Sequence, residues 1–457
     1  MIGSILSIAA GAMTAHQKAA QFTSHNIANA ATEGYSRQRP VLASAPSLQT
    51  PFGSLGGGVF FADVSRLHDA FADAAYRRHT ASASEASTRN GVLGRIEQLY
   101  GELSDAGLAS ALDAFWSAWS DLATMPAGVA ERSAVRYRGE ALALHLNRLA
   151  HELVDLRLDT ERRLADAVAN INELARQIAE LNRAILAAEA AGGTASDLRD
   201  ARGRALDRLA ELVDIQVVEH ARGDVSVIID NATVVDGTLS WALEVRATGG
   251  VVALAMAEGM TTLPRPGGRV GALLSVLNQD IPEQMAQLDA LAAALVQEVN
   301  ALHRAGTNPA GATGVDFFDP AGVTASSIRL SAAVEADIGQ IAAGSGDAAG
   351  NYQAGANDVA LKIAALRDEP LSALGVSAVA YYNRMLVDLG ARVASAAAAA
   401  DAADTLAAAA SARRESVRGV SLEEELVTLM RHQSAFAAAA RIVSVADEMI
   451  EAVLSLR

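Results

Sequence analysis

Residues 24–42 read SHNIANAATEGYSRQRPVL, and this stretch marks the end of a first helix and the start of a different kind of chain. Asn26 and Asn29 lie three residues apart on one side of that helix, where their amides can bond to nearby backbone. Gly34 suits the left-handed conformation that closes a helix. Pro40 disfavours helix for the residue before it and lacks a backbone donor. The stretch therefore predicts a capped helix end followed by a loop, an edge strand or an extended arm.

The residues before this stretch predict an amphipathic helix, because small or apolar side chains recur at a 3–4 spacing for about four heptads. This first seam consists of Ile2, Leu6, Ala9, Met13, His16, Ala20, Thr23 and Ile27. The end of the chain repeats the pattern, and its stripe consists of Leu422, Leu426, Leu429, Gln433, Phe436, Ala440, Val443, Asp447, Ile450 and Leu454. Apolar stripes are unfavourable in water unless a partner covers them. The two helices are therefore either members of one ordinary bundle or a pair that also contacts neighbouring copies.

Two local features of these helices carry further expectations. Ser421 and Glu424 form an S-x-x-E capping box at the start of the last helix. His16 falls on the apolar seam, which favours a packed histidine over a metal ligand or a pH switch.

Between the two ends the periodicity changes twice. Residues 69–212 have the spacing of helices, residues 214–257 read as short strands separated by turn residues, and helical spacing resumes at Leu273. Trp116 and Trp119 are expected in the core rather than in a ligand site. 

This pattern predicts a mainly α fold with an inserted β domain and a nested topology that brings both chain ends to one pole. Long terminal helices would form a coiled-coil-like domain. Phe317 and Phe318 are expected to pin the loop that follows the resumed helices. The predicted domains are a terminal helical domain of residues 1–40 plus 415–457, a mainly helical middle domain of residues 41–213 plus 264–414, and a small β-rich domain of residues 214–263.

Composition excludes several classes of protein. The net charge is −16 and lysine occurs only at Lys18 and Lys362, so there is no basic stripe for nucleic acid. The chain has no cysteine, which excludes disulfides and thiolate metal sites. The Ala-rich residues 394–410 contain two aspartates and are too weakly apolar to span a bilayer. The first residues lack the basic region of a secretory signal, so no cleaved signal peptide is expected.

The sequence has no recognisable catalytic or cofactor motif. None of the nine histidines forms an H-E-x-x-H pair, and neither a phosphate-binding P-loop nor a G-x-S-x-G elbow is present. The carboxylates lie among arginines on polar helix faces, which is typical of solvated surface rather than of a glycosidase pair. We therefore expect no enzyme activity, no cofactor and no metal.

Taken together, the two ends resemble the signatures of bacterial flagellar rod, hook and hook-associated proteins. The matching positions at the first helix end are Asn26, Ile27, Ala28, Asn29, Thr32, Gly34, Tyr35 and Arg37. Residues 421–456, SLEEELVTLMRHQSAFAAAARIVSVADEMIEAVLSL, are similar to the closing helix of that family. Residues 198–212 and 271–306, with the β segments between them, resemble the hook-associated members most.

The resemblance implies a structural subunit of the extracellular flagellum, secreted unfolded through the flagellar type III system and guided by an export chaperone at its C-terminal helix. Identical subunits would form a ring at the hook–filament junction and allow the filament to attach. Hook protein would lie on one side and the second hook–filament junction protein on the other. The terminal helices would form the inner tube and the β domain the outer surface. No nucleic acid and no membrane insertion is implied.

The seams and the resemblance together assign assembly contacts to one set of residues, with Tyr35 and Arg37 expected to reach adjoining subunits. The set consists of Ile2, Leu6, Met13, Asn26, Ile27, Asn29, Thr32, Gly34, Tyr35, Arg37, Leu422, Leu426, Leu429, Phe436, Val443, Ile450 and Leu454. The alternatives are another flagellar axial protein of the hook or distal rod, a coiled-coil adaptor, and an envelope peptidoglycan hydrolase.

Overall fold

Long helices dominate the computed structural model, which describes residues 2–50, 53–101, 107–191 and 193–455. A π-helical turn occupies Val276–Asp280, and a 3-10 turn occupies Ile338–Gln340. The helices are α1 (Ile2–Ala28), α2 (Ala70–Tyr100), α3 (Leu108–Thr124), α4 (Val129–Ala190), α5 (Ser196–Leu212), α6 (Gly268–Ser275), α7 (Ile281–Arg304), α8 (Ala332–Ala336), α9 (Asp358–Ala365), α10 (Ala378–Arg418) and α11 (Leu422–Ser455).

Short strands of the described chain form four small antiparallel sheets. The strands are β1 (Gln38–Ser44), β2 (Leu48–Thr50), β3 (Gly53–Leu55), β4 (Val59–Arg66), β5 (Ile215–Glu219), β6 (Val225–Ile229), β7 (Ala232–Asp236), β8 (Leu239–Ser240), β9 (Leu243–Thr248), β10 (Val251–Met256) and β11 (Thr262–Leu263). The pairs β1–β4 and β2–β3 form two ribbons, and the later strands form sheets in the orders β5-β6-β7-β8 and β11-β10-β9.

The expected fold class is confirmed, because long helices enclose small antiparallel sheets in the middle of the chain and α1 packs against α11. The predicted strand segments after Asp214 correspond to β5, β6, β7, β9 and β10, and the two-residue strand β8 was not predicted. Only one of the two strands in the β1–β4 ribbon is predicted from the sequence. The extended segment around Pro40 was expected, but the returning strand was not, because residues 59–66 contain no clear alternation of apolar and polar side chains.

Buried apolar side chains form two clusters that share one helix. The first cluster packs α2, α3, the first half of α4, α7, α9 and α10 together. The second joins the rest of α4 to α5, α6 and the two sheets of β5–β11. Helix α4 contributes residues 135–156 to the first cluster and residues 164–179 to the second. The domain boundaries given above stay a prediction.

An aromatic group lies in the first cluster and fixes a long loop. Trp116 and Trp119 are fully buried, as predicted, and the ring centroids of Trp119 and Phe317 lie 5.2 Å apart. Phe317 and Phe318 have no exposed surface and pack edge to face with their centroids 4.9 Å apart. The prediction that these two phenylalanines pin the loop to the body is confirmed.

The terminal helices pack through small side chains rather than through the larger residues of the predicted stripes. Among the described residues, neither α1 nor α11 contributes to the two apolar clusters. The buried positions of α1 are Ala9, Ala15, Ala19, Thr23 and Asn26, and those of α11 are Glu425, Ala439 and Ala446. Small residues let two helices approach closely, so the larger neighbours are displaced to the flanks of the contact.

The outer edges of the predicted C-terminal stripe are therefore exposed. Leu422 and Leu426 are each 50% exposed and Leu454 is 64% exposed, while four other stripe residues are half-buried. Those four are Leu429, Phe436, Val443 and Ile450. None of the helices described is both long enough and apolar enough to cross a membrane.

Candidate functional site

The first helix ends earlier than its glycine signal indicates. Helix α1 stops at Ala28, and a turn carries the chain to Gly34, which has the expected left-handed conformation with φ +74°. Gly34 therefore closes the turn rather than the helix. A Cβ atom at this position would lie 2.5 Å from Cγ of Arg204 on α5, so a side chain here would require Arg204 to move and would strain the backbone.

Asn26 is a fully bonded, buried amide at the end of α1. Its Nδ2 donates to the Gln38 carbonyl at 2.8 Å and to Oε2 of Glu425 at 2.9 Å. Its Oδ1 accepts from the Tyr35 hydroxyl at 2.8 Å and from the Gln38 backbone amide at 3.0 Å. A single side chain thus connects α1, the turn, β1 and α11. Only an amide offers two donors and two acceptor lone pairs in this geometry.

Arg37 extends the same network to the two C-terminal helices. Its guanidinium contacts Glu424 at 2.9 Å and the buried Glu425 at 2.7 Å, and its backbone amide donates to the carbonyl of Arg418. Glu424 therefore bonds to Arg37, whereas the predicted capping box had it reaching back to Ser421.

Helix α5 closes the network from the other side. The Ser36 amide donates to Asp200 at 3.0 Å, and Arg66 of β4 bonds to the other oxygen of that carboxylate at 2.6 Å. The Gln38 side chain donates to Asp197 at 3.0 Å. We call the group formed by Asn26, Tyr35, Arg37, Asp200 and Glu425 the helix-end joint.

Tyr35 points into the chain, which corrects the expectation that it reaches an adjoining subunit. Its side chain is buried, its hydroxyl bonds to Asn26, and Nδ1 of His25 donates to that hydroxyl at 3.1 Å. Burial, followed by the charges of Asp197, Asp200 and Glu425, raises the pKa of Tyr35 well above its ordinary value. The phenol therefore stays protonated and keeps donating to Asn26.

The remaining predicted residues of the first helix end have local roles. Asn29 donates to the carbonyl of His25 at 3.0 Å, and the Thr32 hydroxyl donates to Asn29 at 3.2 Å. Ile27 is half-buried, as are Ile2, Leu6 and Met13 further back along α1.

Sequence reasoning missed two members of the helix-end joint, Asp200 and Glu425, and two residues bonded to its members, Gln38 and Asp197. Gln38, Asp197, Asp200 and Glu425 are polar residues in strand or helix positions where a solvated side chain is the usual case. Asp200 lies 164 residues from the Ser36 amide that it accepts from, and no spacing rule connects them. Only the acidic start of α11, at Glu423–Glu425, offered a signal.

A histidine pair lies between the terminal helices. The Nδ1 atoms of His16 on α1 and His432 on α11 are 3.2 Å apart, and the ring centroids are 5.5 Å apart. Burial, followed by the nearby His16 and Arg431, lowers the pKa of His432, while Glu425 acts in the opposite direction. In the described part of the chain, no group of three or more His, Asp or Glu side chains could hold a metal ion.

Two family models match the chain. The model of the flagellar hook-associated protein FlgK helical domain matches residues 93–318, and that of the flagellar basal body rod FlgEFG protein C-terminal region matches residues 416–456. The two matched segments together make up more than half of the chain. The first covers most of both apolar clusters, and the second covers α11 with Glu425 of the helix-end joint.

The curated relatives of this chain share one name. Flagellar hook-associated protein 1 of Bacillus subtilis is 29% identical over 499 aligned residues, which cover 98% of this chain and 97% of that protein. Its namesake in Salmonella typhimurium is 29% identical over 69% of this chain, which corresponds to 59% of the Salmonella protein. The flagellar hook junction protein FlgK of Burkholderia pseudomallei is a solved structure with 26% identity and a TM-score of 0.49, covering 53% of this chain and 46% of its own.

The family models and the curated relatives, together with the paired terminal helices, define a structural protein of the flagellum and not an enzyme. The chain belongs to the flagellar hook-associated protein 1 (FlgK) family.

Proposed function

We propose that this chain is a subunit of the hook–filament junction, where identical copies form a ring on which the filament is assembled. The observation that carries the proposal is the uncovered apolar surface of α11. Leu422, Leu426, Val445 and Val453 are each at least half exposed in the isolated chain. Association with further copies would remove this surface from water, at about 25 cal/mol per Å² of apolar area buried.

The helix-end joint has a defined part in this proposal. It holds the start of α11 against the end of α1 and fixes both to α5 through Asp200. Terminal helices anchored at one end have a set direction relative to the middle of the chain, and a ring requires the same direction in every copy. The half-buried residues of the two seams would then contact neighbouring terminal helices in the inner tube.

The proposal also implies binding partners and an export route for the chain. Hook protein and the second hook–filament junction protein would contact the two faces of the ring. The chain would leave the cell unfolded through flagellar type III export, and an export chaperone would bind α11 beforehand. An exposed apolar helix is the kind of segment that such a chaperone must cover before export.

Deletion of the gene followed by electron microscopy tests the proposed position. We expect cells with complete hooks and no attached filaments. Cells without hooks would place the protein in the rod or hook instead, and normal filaments would exclude any junction role.

A pair of point variants tests the surface that carries the proposal. Leu426→Asp places a charge on the 50% exposed face of α11 and should leave the purified chain folded but the complemented cells without filaments. Val251→Asp makes the same kind of change at a 56% exposed position of β10, on the proposed outer surface, and should restore filaments. Equal motility of the two complemented strains would contradict the proposal.

A further inference from the structure

His16 and His432 bring two imidazole nitrogens together across the contact between α1 and α11. The Nδ1 atoms are 3.2 Å apart, and 416 residues of chain separate the two histidines. Within one pair, a single shared proton satisfies this contact, because one Nδ1 donates and the other accepts. The ring whose Nδ1 accepts must then be neutral.

The separation of these two nitrogens matches the edge of a metal coordination shell. Zinc binds imidazole nitrogen at about 2.0–2.1 Å in tetrahedral geometry, which places two ligand nitrogens about 3.3–3.4 Å apart. The observed Nδ1–Nδ1 distance of 3.2 Å is close to that ligand–ligand distance, and small side-chain movements would remove the difference. A metal ion bound by both nitrogens would lie to one side of the line that joins them, so it could replace the shared proton after the two rings rotate and without separating the helices.

The surroundings leave room for the rest of a coordination shell. The pair borders a cleft of about 540 Å³ whose other polar lining includes the amides of Gln17, Gln21 and Gln433. The charged groups nearest in sequence are Lys18 and Arg431, and the carboxylate of Glu425 is already held by Asn26 and Arg37. Water or an amide oxygen would therefore complete the shell, because the described residues supply no third His, Asp or Glu ligand beside the pair.

We propose that His16 and His432 form a two-histidine site for a borderline transition-metal ion such as Zn²⁺, which clips the two terminal helices together. Two imidazoles are a ligand set that zinc, copper and nickel accept. Bound metal would favour the paired arrangement of α1 and α11, because the site exists only when the helices are in contact. This proposal does not depend on the flagellar role of the chain.

Calorimetric titration of the untagged, full-length chain with ZnCl₂ tests the site at pH 7.5. We expect one ion per chain. His16→Gln and His432→Gln should each weaken that binding by at least about tenfold, because even the loss of a residue that only supports a metal ligand weakens metal binding by about that factor. His151→Gln, on the exposed face of α4, is the matched control and should bind zinc as the unmodified chain does. Circular dichroism of each variant separates loss of the site from loss of the fold.

Hydrogen exchange provides a second readout that a surface-adsorbed ion would not affect. Zinc should slow exchange in α1 around residue 16 and in α11 around residue 432, and this protection should be absent from either glutamine variant. The proposal is overturned if no binding is detected with millimolar zinc, or if the double variant binds one ion as tightly as the unmodified chain.

Discussion

At the scale of single residues, Asn26 is the most constrained side chain of the helix-end joint, because all four of its hydrogen-bonding positions are used in a buried environment. Asn26→Ala should lower the free energy of local opening of α1 by about 2–3 kcal/mol, because it leaves the Gln38 amide and the Tyr35 hydroxyl without their partner. Native-state hydrogen exchange of residues 20–28 measures this change.

The matched control for this prediction is Asn29→Ala. Asn29 has the same side chain three residues further on, but it is only partly buried and bonds within its own turn. Its replacement should cost less than about 1 kcal/mol. Equal effects of the two substitutions would show that the buried network does not hold the helix end.

Gly34 combines a backbone requirement with a steric one, and the two can be separated. Gly34→Ala should destabilise the joint by about 1–2 kcal/mol through its left-handed backbone, with an added cost from the contact with Arg204. The double variant Gly34→Ala/Arg204→Ala should recover only the steric part. Urea unfolding of the three proteins gives the comparison, and full recovery in the double variant would show that backbone strain is negligible.

At the scale of elements, the sequence predicted the long helices and most of the strands well, because their periodicity is local. The residues at which the elements end were harder to predict. Helix α1 stops at Ala28 although the glycine signal lies at Gly34, because the Asn26 network commits the chain to leave the helix earlier. Strand β4 and the contact of Glu425 with Asn26 depend on residues distant in sequence, which periodicity does not report.

His303 near the end of α7 shows how one element holds two loops. It is 1% exposed, its Nδ1 donates to the carbonyl of Val315 at 2.7 Å, and its Nε2 accepts from the backbone amide of Ala342 at 3.0 Å. The amide can only donate and the carbonyl can only accept, so the ring must be neutral. Burial lowers the pKa of His303, although the bond to Val315 and the charge of Asp316 act in the opposite direction.

This lowered pKa predicts a loss of stability in acid. The unfolded histidine takes up a proton as the pH falls below about 6.5, whereas the folded one does not until a lower pH. The contribution of His303 is therefore fully present above about pH 6.5 and falls by up to about 1.4 kcal/mol per pH unit below it. Urea unfolding at pH 7.5 and pH 5.5 measures the difference.

His303→Gln isolates this contribution from that of the other histidines. The variant should be less stable at pH 7.5 but should lose less stability on acidification than the unmodified chain. His151→Gln, whose side chain is exposed, should retain the full pH dependence. An unchanged pH dependence in His303→Gln would show that this ring does not titrate on unfolding.

At the scale of the whole molecule, stability is distributed unevenly between the ends and the middle. Helix α11 has three buried residues along 34 positions, whereas α4 has buried residues along its whole length. Loop closure over nearly the full chain adds an entropic cost to pairing α1 with α11. We therefore expect amides of Ile2–Ala28 and Leu422–Ser455 to exchange much faster than those of α4 in the monomer. Equal protection would contradict this view.

The length of α4 has a consequence for cooperativity. Its 62 residues extend about 90 Å and form one wall of each apolar cluster. Melting either cluster would expose half of this helix and remove the support on which the other half is aligned. The two clusters should consequently unfold in one calorimetric transition, so that a cavity made near Leu146 lowers the melting temperature of the distant β sheets as well.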